Sequence, residues 1–98
     1  MRVVWSARAQ RRLEEIEAHI AIDDVRAAMR LVMLLVAQGQ ELATFPRRGR
    51  VGPEVDQPEL REPIVRGYRI LYEVGEDTVD ILTVFEGHRL LRDDELDR

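Results

Sequence analysis

The chain has 98 residues, 45% of them hydrophobic and 35% charged, with a formal net charge of −4 and no cysteine. That length allows one domain around one compact core, and no apolar run is long and charge-free enough to span a bilayer. Disulfides, thiolate nucleophiles and Cys-ligated metals are excluded, and two isolated histidines, His19 and His88, without ligand-spaced neighbours leave no metal or cofactor site to expect.

All 15 basic side chains are arginine, which suits bidentate contacts to carboxylates and phosphates. The acidic balance argues against a protein that coats nucleic acid nonspecifically. Part of it sits in the tail at residues 93–98, with Asp93, Asp94, Glu95 and Asp97, so the body is close to neutral. No basic segment leads an apolar one at the N-terminus, and a cytoplasmic location is expected.

Arg2 to Trp5 reads as a short strand, and Ser6 offers a side-chain oxygen to cap a helix starting at Ala7. Ala9, Leu13, Ile16 and Ile20 recur at helical spacing opposite Arg8, Arg11, Arg12, Glu14, Glu15 and Glu17. Asp23 and Asp24 then signal a second helix, with Val25, Ala28, Met29, Val32, Leu35 and Val36 on one face. Leu31, Met33 and Leu34 lie off that stripe and make the helix apolar nearly all round, so either the sheet or a partner must cover them.

The helix should end near Leu42, where Phe45-Pro46 and the basic cluster Arg47-Arg48-Gly49-Arg50 interrupt the period. Strands resume at Leu60 with an interruption at Pro63. Tyr68 to Val74 is the strongest strand, and Gly75-Glu76-Asp77 turns it into Thr78 to Phe85. The order β-α-α-β-β-β predicts a single α+β domain over residues 1–98, a helical hairpin packed on one face of a small antiparallel sheet. Alternation puts Arg69 on the face opposite Ile70 and Tyr72, and a helix-covered Ile70 face leaves Arg69 on the open side. From there it would converge with His88 and Arg89 at the end of the last strand.

The ordered series Trp5-Ser6-x-x-Ala9, Phe45-Pro46 with Gly49-Arg50, Leu60-Arg61-Glu62, Gly67-Tyr68-Arg69-Ile70-Leu71-Tyr72 and Gly87-His88-Arg89 resembles the RelE/ParE superfamily of type II toxin–antitoxin toxins. The resemblance covers nearly the whole chain, and it implies an antitoxin partner, ParD-like or related, lying along the helices and sheet. Leu31, Leu34, Arg50, Arg66, Arg69 and Arg89 are the candidate partner-binding residues.

The superfamily offers two activities. RelE-like members are ribosome-dependent mRNA endoribonucleases, and that reading makes Arg69, His88 and Arg89 catalytic, two arginines to stabilise phosphorane charge and a histidine to move protons. ParE-like members bind DNA gyrase and trap its cleaved complex with DNA. Glu62, Glu73, Asp80 and Glu86 on the strands, and a tail without tyrosine or lysine, disfavour a phosphate site, while the long hairpin and the Phe45-Pro46-x-x-Gly49-Arg50 connection look ParE-like. The expectation is a ParE-like toxin without catalytic residues, with the ribonuclease and a non-toxic adaptor of the same fold as alternatives.

Overall fold

The computed structural model describes residues 1–51 and 59–87. Strand β1 (Arg2–Trp5) leads into α1 (Ala7–Ala21), α2 (Val25–Gln40) and one 3₁₀ turn (Glu41–Ala43), and then into β2 (Arg50–Val51), β3 (Leu60–Glu62), β4 (Ile64–Val65), β5 (Tyr68–Val74) and β6 (Thr78–Glu86). Both helices start where the capping residues predicted. The Ala9 amide donates to Ser6 Oγ at 3.0 Å, and the Ala27 amide donates to Asp24 Oδ1 at 3.0 Å.

Among the described residues the sheet runs β1-β6-β5-β3-β2, with β4 pairing the start of β5. Pairing among β2 to β6 is antiparallel, as expected, but β1 lies parallel to β6, so the sheet is mixed. The β5–β6 hairpin occupies one edge of β6 and leaves the other for β1, whose long connection through the helices is what a parallel neighbour requires. The Ser6 amide closes the contact by donating to the Ile81 carbonyl at 2.9 Å.

The register of β5 against β6 slips between Leu71↔Thr83 and Tyr72↔Ile81, leaving Leu82 as an extra residue. Uninterrupted alternation would keep Val79, Ile81, Thr83 and Phe85 on one face. The bulge instead sends Val79, Ile81 and Val84 under the helices and Leu82 and Phe85 to the other side. The Leu82 carbonyl accepts the Ser6 hydroxyl at 2.7 Å, so one serine caps α1 and satisfies the bulge.

The helix-side core joins Ala9, Leu35 and Leu42 to Ile70, Tyr72, Val79, Ile81 and Val84. Each of its larger side chains, fully buried, contributes about 1.5–3 kcal/mol before chain entropy is counted. The opposite face buries a second cluster, Leu60, Leu71, Leu82 and Phe85.

Helix α2 sits rotated from the expected stripe. Ala28, Leu35 and Gly39 face inward, Leu31 and Leu34 are half-buried, and Val25 and Met29 are exposed with Met33. A helix aliphatic nearly all round carries little periodic information, and small residues decide the approach. At Gly39 a Cβ would come within 2.4 Å of Trp5 Cζ2, so the half-buried indole seats against bare backbone.

Candidate protein-interaction surfaces

Arg69 leaves β5 on the face away from the helices, as alternation predicted, but that face is not open. The residue is 3% exposed, its Nη2 donates to Glu62 Oε1 at 2.5 Å, and its Nε pairs with Glu62 Oε2. The guanidinium carbon lies 4.7 Å from the centre of the Phe85 ring. Expected exposure gives way to burial because Glu62, on β3, supplies a planar partner for the guanidinium fork. Arg50 approaches the same carboxylate from β2, its Nη2 3.9 Å from Oε1, while its side chain stays 55% exposed.

The Phe45-Pro46-x-x-Gly49-Arg50 connection is fastened to the sheet. The Gly49 amide donates to the Tyr72 hydroxyl at 3.0 Å, and Arg61 Nη1 donates to the carbonyls of Gly49 at 2.9 Å and Arg47 at 3.4 Å. At Gly49 a Cβ would meet the Glu62 carbonyl carbon at 2.8 Å and Tyr72 Cε1 at 2.9 Å, so the approach requires glycine. Burial pushes the Tyr72 hydroxyl pKa up, with the Gly49 amide and then Arg61 and Arg47 opposing it.

Arg66 and Gly67 form the two-residue turn between β4 and β5, closed by the pair Val65↔Tyr68. Both have positive φ, 52° and 81°, the signature of a type I′ hairpin. A non-glycine residue there is held at a cost of about 1–2 kcal/mol. The strain presents Arg66 to a groove of about 450 Å³ whose described lining is Ala27, Arg30, Leu31, Leu34 and Arg66. Three residues singled out in the sequence, Leu31, Leu34 and Arg66, thus meet at one site. Arg30 joins them unanticipated; its signal was its place one turn before Leu34 and one after Ala27. Neither arginine has an acidic partner among the described residues. The groove therefore offers an aliphatic floor between two available positive charges, suited to an apolar segment carrying a carboxylate.

Glu62, Asp80 and Glu86 stand on strands as expected, and Glu73 lies on β5. His88 and Arg89 fall outside the described residues, as does the tail 93–98. No group of His, Cys, Asp and Glu among the described residues could hold a metal ion, and no described helix is long and apolar enough to cross a membrane.

A mixed sheet covered by a helical hairpin is a fold shared with chains of solved toxin–antitoxin systems. The family described as the ParE toxin of type II toxin–antitoxin systems, parDE, matches residues 3–91. The toxin candidate Y4kP of Sinorhizobium fredii is 40% identical over 88 residues, covering 90% of each chain. Two solved structures share the fold. A chain of the chromosomal ParDE system of P. aeruginosa superposes with a TM-score of 0.75 at 20% identity over 88% of this chain and 95% of that one. A chain of the RelBE2 toxin–antitoxin complex of Mycobacterium tuberculosis gives 0.65 at 21% identity, over 87% and 95%.

The chain thus belongs to the toxin class of type II toxin–antitoxin systems. Within that class it is a member of the ParE toxin family, whose model matches nearly the whole chain.

Proposed function

We propose that this protein arrests growth from within the cytoplasm by binding DNA gyrase and stabilising its cleaved complex with DNA, and that a cognate ParD-like antitoxin neutralises it. The observation that carries this reading is the Arg69–Glu62 pair. A ribonuclease of the RelE kind would need the Arg69 guanidinium at a reacting phosphate, where charge develops in the transition state. Here its Nε and Nη2 are committed to Glu62, and the residue is 3% exposed. Releasing it would leave a buried carboxylate with only the half-exposed Arg50 guanidinium 3.9 Å away. The type of family matched supports the same side of the choice.

The antitoxin is assigned to the groove of Leu31, Leu34, Arg30 and Arg66, with Arg50 at the sheet edge as a further contact. An antitoxin segment with aliphatic side chains and an acid would cover the floor and answer both guanidinium groups.

Induced expression in a bacterial host tests the reading. The expected result is growth arrest with accumulation of gyrase-linked DNA breaks while mRNA stays intact. Cleavage of translated mRNA with intact DNA would replace it by the ribonuclease reading, and unimpaired growth by a non-toxic adaptor.

A further inference from the structure

The connection leaving the 3₁₀ turn after α2 displays a second surface, separate from the Arg30/Arg66 groove. Thr44, Phe45, Pro46, Arg47 and Arg48 form the described lining of a shallow hollow of about 660 Å³. Phe45 is 58% exposed, although burying its ring would stabilise the fold.

The backbone beneath it is held firmly. The Phe45 amide donates to the Glu41 carbonyl at 3.0 Å and the Arg48 amide to the Phe45 carbonyl at 3.1 Å. Gly49 is tied to Tyr72, and Arg61 holds the Arg47 and Gly49 carbonyls. A loop ordered in advance loses little further entropy on binding, and aromatic and arginine side chains are the types that most often dominate an interface. Arg48 is answered by Glu41, whereas Arg47 has no acidic partner among the described residues.

We propose that this shelf is the surface through which the toxin grips its protein target, with Phe45 entering an apolar pocket whose rim carries a carboxylate for Arg47. The inference rests on the toxin reading above and adds the residues that touch the target. Protein fits better than nucleic acid. Glu41 answers Arg48, one of the lining residues, and the chain as a whole carries −4, so few cations remain to neutralise a run of phosphates. The shelf is a separate place from the groove: Gln40 lies about 15 Å along α2 from Arg30, and the loop begins beyond that end.

Phe45→Ala and Arg47→Glu test the proposal, with Arg26→Glu, an exposed charge change outside both surfaces, as the control. Each variant is expressed from an inducible promoter, scored for growth arrest, and co-purified with the gene product that neutralises the wild-type chain. Phe45→Ala and Arg47→Glu are expected to need at least about tenfold more toxin for arrest while retaining that product and the wild-type melting transition. Arg26→Glu should match the wild type. Folded shelf variants that arrest growth at the wild-type dose would overturn the shelf and leave the gyrase reading intact. Parallel loss of co-purification would also overturn it, by placing the loop in the neutralising interface. Nucleic acid bound by the wild type, retained by Phe45→Ala and lost by Arg47→Glu would overturn it in favour of a phosphate contact. A wild-type chain that never arrests growth would instead remove the toxin reading, and the shelf's target with it.

Discussion

Arg69 on β5 and Glu62 on β3 form a two-point ion pair sealed inside the sheet's second face, with the Phe85 ring against the guanidinium. The residue with the strongest claim to phosphate chemistry is therefore part of the fold's interior. Its energetics are asymmetric. Glu62→Ala strands the buried Arg69 guanidinium and should destabilise the fold by about 3–5 kcal/mol, and Arg69→Ala, which leaves Glu62 only the Arg50 guanidinium at 3.9 Å, should cost about 3 kcal/mol. Urea denaturation measures this directly, and a loss under 1 kcal/mol would mean that solvent already reaches the pair.

Ser6 holds two structures at once, the first turn of α1 and the bulge carbonyl of Leu82. Ser6→Ala removes the cap and leaves the carbonyl without its side-chain donor, a combined cost of about 1–3 kcal/mol. Ser6→Gly should recover part of the loss only if the cap dominates, since glycine is tolerated at that position but cannot donate to Leu82. Equal melting temperatures for the two variants would assign the larger share to the bulge.

The Arg66 turn predicts a trade between stability and binding. Arg66→Asn relaxes the positive φ and should stabilise the hairpin by up to about 1 kcal/mol, because asparagine adopts that conformation more readily. The same change removes one of the groove's two cations, so capture of the antitoxin should weaken and become less sensitive to salt. A variant that is more stable and binds with unchanged salt dependence would detach Arg66 from the partner site.

Tyr72 predicts an alkaline limit to stability. Burial holds its hydroxyl proton above the ordinary value of 10.0, and Tyr68 is raised in the same direction by burial and by Glu86. Above about pH 10 the unfolded chain releases these protons more readily than the folded one, so stability is fully present below that pH and falls as pH rises through the folded values. The urea midpoint should decline between pH 9.5 and pH 11. In Tyr72→Phe the decline should be shallower, with a lower starting stability because the Gly49 amide loses its acceptor. An unchanged slope would show that Tyr72 is not the group responsible.

Much of this fold is legible in local chemistry. Ser6 and Asp24 mark the helix starts, the Gly75-Glu76-Asp77 turn marks the β5–β6 hairpin, and alternation places Arg69 opposite Ile70 and Tyr72. Long-range features are not. Nothing in the apolar run from Val79 to Phe85 marks Leu82 as a bulge, because its carbonyl is satisfied by a serine 76 positions away. The partner of Arg69 was hidden by the Arg66-Gly67 turn, which folds Glu62 back onto β5, and arginine is not a residue that announces a type I′ hairpin. The Phe45-Pro46-x-x-Gly49-Arg50 series was visible as a motif, but its reason, a glycine against Glu62 and Tyr72, is a tertiary contact. Leu31, Leu34 and Arg66 were visible singly, and only the packing of α2 beside the hairpin turn joins them with Arg30.

On the gyrase reading Arg69 serves structure and takes no part in chemistry. This role is tested most directly by growth arrest in Glu62→Leu/Arg69→Met, which replaces the buried pair with apolar groups of similar size and lets the methionine sulfur lie against Phe85. The expected variant folds cooperatively, is far more stable than either single alanine substitution, and still arrests growth and accumulates gyrase-linked DNA breaks. A folded double variant that no longer arrests growth would contradict that role and return Arg69 to the functional site.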